Sequence, residues 1–294
     1  MEHRHAMEPL APMTERPQVT LNVNHFPPLP EVAWRVLELT SDLYSGSEEL
    51  EEVIAHDQSL TTRLLRVANS AYFQRRREIK TVRQAVTVLG NQKIRGIVVA
   101  AALGGIFYKT AVGRILWQHA LAVGVAAREL SAYLPGFDPE EAFVLGLLHD
   151  LGKGILAHEY PVLFQETLSL QSGDPELTSC AAEQSVFGLD HTAAGRRLSD
   201  AWNLPQGLTR VIERHHLPAE ELGDEDTAVR LIKAADCICN TSGLGVVKHP
   251  ENDEGVLAAA DWMQVGVEDL ASLRRRFLAR VAADAALFGM EIRC

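Results

Sequence analysis

Apolar residues recur at three- and four-residue spacing along almost the whole chain, and the alternation that is typical of β-strands is nearly absent. Helix-start and helix-end signals accompany this spacing. Asp138 stands before Pro139 and Glu141, which is typical of a capping box with proline in the first turn, and Gly90 follows an apolar run as a helix-ending glycine. With 47% apolar residues to bury, the sequence predicts an all-α protein.

The predicted helices fall into two groups on either side of residue 110. Helices are expected over 29–40, 45–57, 59–70, 81–90, from 91 to about 107, from about 114 to 134 after a break at Ala111–Gly113, from 139 to the His149–Asp150 pair, and over 177–187, 191–202, 205–216, 225–241 and 267–287. We expect a disordered arm over 1–21, an amino-terminal helical subdomain over 22–110 and a second helical subdomain over 111–290. Glycines and a proline predict a long loop over 242–266.

The charge and the apolar stretches limit the partners of the chain. A formal net charge of −11 argues against wholesale nucleic-acid binding. The longest apolar stretch, GIVVAAALGGIF at 96–107, is too short to span a bilayer, and the polar start of the chain lacks the apolar core of a secretory signal. Cys180, Cys237, Cys239 and Cys294 show no framework spacing and are expected to be reduced thiols. We therefore expect a cytoplasmic protein without a membrane partner.

Basic residues are concentrated between 58 and 95, where Glu78 is the one acidic residue. The candidate ligand or partner surface within this block comprises Arg63, Arg66, Arg75, Arg76 and Arg77. Such a block suits an acidic partner protein or a small ligand that carries phosphate. The alternative is a solvated helical face that balances the glutamates between 48 and 52.

The stretch GLLHDLGKGIL, residues 146–156, places His149 and Asp150 side by side at the end of an apolar helix. One interpretation is that His149 is a hydrogen-bonded core residue and Asp150 a solvated helix end. The other is a metal site, since imidazole nitrogens and carboxylate oxygens are common ligands of divalent metals. The choice depends on whether the rest of the chain supplies matching ligands.

Further histidines and an aspartate lie on or at the ends of other predicted helices. These are His119, His191, His215, His216 and Asp236. His119 and Asp236 fall on the apolar stripes of their helices, where a carboxylate without a partner is costly. Taken alone, His119 could be explained by a hydrogen bond within the core. Asp236 could be explained by a nearby Arg or Lys. Together with His149 and Asp150, the set predicts a shared pocket for a divalent metal, with Asp150 able to bridge two metals.

The order of these residues, H…HD…H…HH…D, resembles the HD superfamily of metal-dependent phosphohydrolases. The chain resembles more specifically the HDOD family, the HD-related output domains of bacterial signalling. The resemblance covers about residues 26–240 and runs through FPPLPEVAWRVLEL, EVIAHDQSLTTRLLRVANSAYF, TVRQAVTVLGNQKIRGIVV, WQHALAV, GLLHDLGKGIL, FGLDHTAAGRRLSDAWNLP, VIERHHLP and LIKAADCIC. It implies an amino-terminal helical subdomain packed on an HD-like helical subdomain.

The resemblance implies a regulator or scaffold in signal transduction. We expect contacts with other signalling proteins or with a ligand, and a divalent metal (Fe, Mn, Zn, Mg or Ni) in the HD-type pocket. The alternative is a binuclear phosphohydrolase or phosphodiesterase for a nucleotide or cyclic nucleotide, with Asp150 and Lys153 as catalytic residues, because Lys153 matches the position that assists phosphate binding in HD enzymes. A third interpretation is a nucleotide-binding module that uses the basic block without hydrolysis.

The chain departs from the HD-GYP phosphodiesterases at two points. It reads HHLPAEEL where those enzymes carry a GYP-containing run after the paired histidines. Ile115 stands where some of them use a glutamate, four residues before the first histidine. Cyclic-dinucleotide hydrolysis of that type and a three-metal site are therefore not expected.

Overall fold

The computed structural model describes residues 18–41, 47–69, 78–107, 109–223, 226–247 and 254–287. No strand occurs among these residues, which confirms the predicted all-α class. The α-helices are α1 (Glu31–Ser41), α2 (Ser47–Ala55), α3 (Gln58–Ala68), α4 (Val82–Leu89), α5 (Asn91–Phe107), α6 (Ala111–Leu130), α7 (Pro139–Leu148), α8 (Leu151–Glu159), α9 (Pro161–Gly173), α10 (Ser179–Phe187), α11 (His191–Ala201), α12 (Gln206–Arg214), α13 (Thr227–Cys239), α14 (Glu254–Met263) and α15 (Val267–Leu287).

The predicted break at Ala111–Gly113 falls too late, since α5 ends at Phe107 and α6 begins at Ala111, and the predicted loop over 242–266 is wrong. No break occurs at Ala111–Gly113, because Thr110 begins α6 by accepting a hydrogen bond from the backbone N–H of Gly113 (2.9 Å). The predicted loop over 242–266 contains α14, whose Ala259, Ala260 and Met263 are buried in the core. Tertiary packing stabilises this short helix more than its local sequence indicates.

Asn69 joins the end of α3 to the segment that precedes α4. Its side-chain amide donates to the carbonyl of Ile79 (2.7 Å), and its side-chain oxygen accepts from the backbone N–H of Ile79 (2.7 Å). The Asn69 side chain thus satisfies both the backbone N–H and the backbone carbonyl of Ile79. This gives Asn69 a structural role in the amino-terminal region.

Helices α6 and α7 approach each other closely at two glycines. A Cβ added to Gly146 would lie 2.6 Å from the Cα of Gly124, and a Cβ added to Gly124 would lie 2.9 Å from the carbonyl oxygen of Phe143. Only the absence of side chains allows the two backbones to pack at this distance. The close packing brings His119 of α6 next to His149, which follows the last residue of α7.

Buried apolar side chains form a continuous cluster that extends from Phe26 to Ala285. It crosses residue 110, so the predicted boundary between 22–110 and 111–290 stays a prediction. Among the described residues, no single helix is long and apolar enough to cross a membrane. Helices α4 and α5 pass that test only as a pair, and they are bent by 116° relative to each other.

The prediction of a disordered arm over 1–21 is wrong for its last four residues. The backbone N–H of Val19 donates to the carbonyl of Phe187 (2.8 Å), and the hydroxyl of Tyr160 donates to the carbonyl of Thr20 (2.6 Å). These contacts fasten residues 18–21 to the helices that follow α8. Residues 1–17 lie outside the described residues.

The predicted basic surface is only partly described. Arg63 is half-buried and donates to the carbonyl of Ala101 (3.3 Å), which gives it a structural contact, whereas Arg66 is exposed. Arg75, Arg76 and Arg77 lie outside the described residues. The partner surface therefore stays a prediction.

The cysteines were predicted to be reduced thiols. Cys180, Cys237 and Cys239 form no disulfide among the described residues, and Cys239 is buried. Cys294 lies outside the described residues.

Candidate metal centre

The structure brings the predicted ligand residues together in one pocket. They are His119 within α6, His149 and Asp150 between α7 and α8, His191 as the first residue of α11, His215 and His216 after α12, and Asp236 within α13. We call this set the histidine–aspartate cluster. His216 is half-buried and every other member is buried.

Two helix caps fix the starts of helices that lead to or carry cluster residues. Asp138 begins α7 by accepting hydrogen bonds from the backbone N–H groups of Glu140 (2.7 Å) and Glu141 (3.0 Å). Asp190 begins α11 in the same way, accepting from the backbone N–H of Ala193 (2.9 Å). Because such caps fix the first turn of a helix, the start of α11 and the direction of α7 are determined locally.

Asp150 lies at the centre of the cluster and divides it into two sides. Its Oδ2 atom is 3.5 Å from Nε2 of His119 and 3.4 Å from Nε2 of His149. Its Oδ1 atom is 3.3 Å from Nε2 of His191 and 3.5 Å from Nε2 of His215. Each carboxylate oxygen therefore faces a different pair of imidazoles.

Each side has a further member. Asp236 joins the first, with its Oδ1 atom 3.0 Å from Nε2 of His119 and 3.9 Å from Nε2 of His149, and we call this the α6 side. His216 joins His191 and His215, and we call this the α11 side. One possible ligand atom from each of Asp150, His191, His215 and His216 lies within 4.8 Å of the others.

Four of the imidazoles are oriented by the nitrogen that points away from Asp150. Nδ1 of His119 donates to the carbonyl of Leu244 (2.9 Å), Nδ1 of His149 to that of Gly146 (2.7 Å), and Nδ1 of His215 to that of Val211 (3.1 Å). A carbonyl oxygen only accepts, so the proton must be on Nδ1 in each neutral ring.

Nδ1 of His191 donates in the same way to the carboxylate of Glu183 (2.6 Å). In the neutral form, all four rings therefore direct a bare Nε2 lone pair toward Asp150.

The cluster is not satisfied by hydrogen bonds within the described residues. Nε2 of His149, Oδ1 of Asp150 and Nε2 of His216 are buried without a hydrogen-bond partner. The Nε2 atoms of His191 and His215 face each other at 3.4 Å, an arrangement that two lone pairs disfavour. Unsatisfied buried groups cost about 1–3 kcal/mol each. Lone pairs and carboxylate oxygens that converge in this way fit a divalent cation on each side.

The pKa shifts of four cluster residues favour the protonation states that a divalent metal requires of its ligands. Burial lowers the pKa of His149 to about 3 and holds the pKa of His216 well below its usual value, so both rings are neutral ligands at neutral pH. Burial opposes ionisation of Asp150, but Lys153 and the nearby histidines outweigh it and hold the pKa of that carboxyl well below its usual range. The pKa of Asp236 is likewise lowered, by its hydrogen bond to His119.

The pKa of His119 is shifted in the opposite direction to those of His149 and His216. Burial lowers its pKa, but the hydrogen bond and charge of Asp236 outweigh this effect and raise the pKa above its usual value. A proton and a metal compete for the same Nε2 lone pair. A metal on the α6 side would therefore compete with a proton at this atom more strongly than at His149 or His216.

Lys153 is a cation within the pocket itself. Its Nζ atom donates to Oδ2 of Asp150 (2.7 Å), and the neighbouring carboxylates outweigh burial and raise the pKa of its ammonium. It follows Asp150 by three residues, so the first turn of α8 directs it back toward the carboxylate. Lys153 of the HDLGK stretch thus places a positive charge beside Asp150, and Gly152 before it has no side chain that would need space.

Glu183 and the segment 240–244 support the cluster and were missed by the sequence analysis. Glu183 is buried, and its carboxylate accepts from both Nδ1 and the backbone N–H of His191 (2.6 and 2.7 Å). Asn240 donates to Oδ1 of Asp236 (3.0 Å), and Leu244 orients His119. Glu183 and Leu244 carry no local signal, because their partners lie on other helices, whereas Asn240 lies four residues after its partner Asp236.

Replacing Glu183 with glutamine is expected to weaken metal binding on the α11 side only. The amide keeps the size of the side chain but loses the charge that fixes the His191 tautomer, and such supporting changes cost about 10- to 100-fold in metal affinity. Calorimetric titration with Mn²⁺ would measure one weakened and one unchanged site. Two equally weakened sites, or none, would contradict the division into sides. Glu176→Gln, an exposed change near the start of α10, is the control.

Comparison with known proteins gives three informative matches. A family model described as HDOD domain matches residues 26–218. The crystal structure of an HDOD domain protein from Geobacter sulfurreducens is 23% identical, with a TM-score of 0.75 over 92% of this chain and 95% of that one. A candidate phosphohydrolase from Shewanella amazonensis SB2B is 26% identical, with a TM-score of 0.69 over 91% and 95% of the two chains.

Among curated proteins, an uncharacterized protein from Treponema pallidum is 24% identical over 194 residues, or 64% of this chain. The chain spans 37% of the length of that relative. The two solved structures extend the shared fold past residue 218 to nearly the whole chain.

Proposed function

Since the chain belongs to the HDOD family, we propose that it is a signalling regulator that binds two divalent metal ions in the histidine–aspartate cluster. The observation that carries this proposal is the set of inward-facing Nε2 atoms around a carboxylate whose two oxygens face different histidines. His119, His149 and Asp236 would hold the metal on the α6 side, and His191, His215 and His216 the metal on the α11 side. Asp150 would bridge the two.

A regulatory role is supported by contacts that lead from the cluster to the carboxy-terminal helix. Asn240 and Leu244 contact Asp236 and His119, and both belong to one irregular segment, Asn240–Leu244. Arg274 of α15 donates to the Ser242 hydroxyl (2.9 Å) and to the carbonyl of Thr241. Metal occupancy would therefore bias the position of this segment and of α15, where partner proteins would detect it.

Elemental analysis of the purified protein tests this function directly. The protein should be prepared without an affinity tag and without residues 1–17, which include His3 and His5, so that adventitious binding is removed while the contacts of Val19 and Thr20 stay intact. We expect about two divalent metal ions per chain after dialysis against Mn²⁺. A metal content near zero would contradict the proposal.

A second candidate function is phosphate-ester hydrolysis, which is favoured by the position of Lys153. When bound, two divalent metals supply Lewis-acid activation of water and of a phosphoryl oxygen. Asp150 would hold the two ions in place, and Lys153, whose ammonium is 2.7 Å from that carboxylate, would stabilise the negative charge of the phosphate. The name of the Shewanella relative agrees with this chemistry.

Turnover of a model phosphate ester separates the two candidate functions, and replacing Lys153 with alanine tests the role of this lysine in hydrolysis. If the protein hydrolyses bis(p-nitrophenyl) phosphate or p-nitrophenyl phosphate, this variant should mainly raise KM, by about tenfold, because one charge-assisted hydrogen bond to phosphate is lost. Asp150→Ala should abolish the turnover. Metal-loaded protein without turnover of either compound would leave the regulatory function as the sole proposal.

A further inference from the structure

A cavity of about 520 Å³ lies beside the α11 side of the cluster. It is bounded by α13, by α14 and by the residues that follow α12, and its lining includes the cluster residues His215, His216 and Asp236. A cavity of this size is in the range of pockets that bind small organic ligands. Because cluster residues line it, a ligand in the cavity would lie beside the histidine–aspartate cluster.

One wall of this cavity carries two cations without a carboxylate partner. Arg230 and Lys233 lie one turn apart on α13 and both line the cavity. Lys233 donates to the carbonyl of Leu217 (2.9 Å), and Arg230 donates to that of Leu222 (2.6 Å). Within the described residues neither cation has a carboxylate within 4.0 Å, although the chain has a net charge of −11. Half-buried cations that contact only neutral carbonyls favour an anionic ligand.

Another part of the lining is apolar and contains a flat ring. Trp262, Ala258 and Ala259 of α14 line it, together with Leu222. The guanidinium carbon of Arg230 is 5.9 Å from the centre of the Trp262 ring, so the cationic and aromatic walls meet at this point. A planar group placed against the tryptophan would be within reach of the cations through a short linker.

We propose that this cavity binds a phosphate monoester of a planar, largely apolar group, of the kind that a nucleoside 5′-monophosphate represents. The planar base contacts Trp262, and the phosphate lies between Lys233, Arg230 and the cluster. This names the ligand of the pocket on which the proposed function rests. The cations and the tryptophan act without metal, so ligand binding and metal binding can be tested separately.

The test is calorimetric titration of the metal-free protein, in the presence of a chelator, with AMP, GMP, CMP and UMP. Ribose 5-phosphate and adenosine serve as half-ligands. At least one nucleotide should bind about tenfold more tightly than ribose 5-phosphate, since a stacked base contributes roughly 1–3 kcal/mol, which corresponds to roughly 5- to 150-fold in affinity. Adenosine, which lacks the phosphate, should bind more weakly still.

Variants of Trp262 and Lys233 test which side chain contacts the base and which contacts the phosphate. Trp262→Leu should remove the advantage of the nucleotide over ribose 5-phosphate, and Trp262→Phe should restore most of it. Lys233→Met should weaken nucleotide binding at least tenfold, because one charge-assisted hydrogen bond is lost. The control Arg197→Met removes an exposed cation of α11 that does not line the cavity, and it should bind as the parent protein does. Circular dichroism would verify that each variant is folded.

The proposal is overturned if no nucleotide binds more tightly than ribose 5-phosphate, or if Trp262→Leu and Lys233→Met bind as the parent protein does. Metal content is measured in the same preparations. Nucleotide binding by a protein that takes up no Mn²⁺ would overturn the metal proposal alone. Two metals per chain without nucleotide binding would overturn the ligand proposal alone.

Discussion

Asp150→Ala is expected to remove both metal ions from the protein. The carboxylate offers one oxygen to His119 and His149 and the other to His191 and His215, so its loss takes one ligand from each side. Changes to residues that merely support a ligand cost 10- to 100-fold in affinity, so loss of a shared ligand should cost at least about 100-fold on both sides. Elemental analysis after dialysis should find almost no metal.

Two matched variants make this result specific. Asp150→Asn keeps the size of the side chain and should also lose most of the metal, which separates loss of charge from loss of packing. His191→Ala removes a ligand of the α11 side alone and should keep about one metal per chain. An Asp150→Ala protein that is folded and still binds one metal with parental affinity would contradict the bridging role.

Gly152→Ala is expected to cause the largest loss of stability among single-methyl changes near the cluster. A Cβ at this position would lie 1.8 Å from the carbonyl oxygen of His191 and 2.7 Å from the backbone nitrogen of Gly195. These are backbone atoms of α11, so α8 and α11 must separate to make room. Overpacking typically costs about 1–3 kcal/mol, and we expect the upper end or beyond, with Tm lowered by roughly 5–10 °C.

The separation should also move His191 away from Asp150 and thereby weaken metal binding on the α11 side. Gly105→Ala provides the control, since a Cβ there meets nothing within 4 Å and the residue lies inside α5. That change should be neutral or should stabilise the protein by up to about 1 kcal/mol. Equal Tm values for the two variants would show that the backbone contact is not tight.

The helical class, most helix positions and the membership of the cluster could be predicted from the sequence. Caps such as Asp138 and polar residues on apolar stripes, such as His119 and Asp236, are local features that need no knowledge of the fold. The α14 helix could not be predicted in this way, because its glycine disfavours a helix and the burial of Met263 that stabilises it is a tertiary contact. The same holds for residues 18–21, which are fastened by Tyr160 and Phe187.

The division of the cluster and its supporting residues required the structure. The sequence indicates that Asp150 can bridge two metals, but not which histidines each oxygen faces. Glu183 lies eight residues before His191 on a different helix, and the carbonyl that orients His119 belongs to Leu244, 125 residues away. The apolar lining around Trp262 could not be predicted either, because α14 was expected to be a loop.

The most direct test of two metals bridged by one carboxylate is electron paramagnetic resonance of the Mn²⁺-loaded protein that lacks residues 1–17. Two Mn²⁺ ions that share Asp150 should give the multiline spectrum of a spin-coupled pair, and Asp150→Asn should abolish it. The six-line spectrum of isolated Mn²⁺ at full loading, unchanged by that substitution, would contradict the shared site.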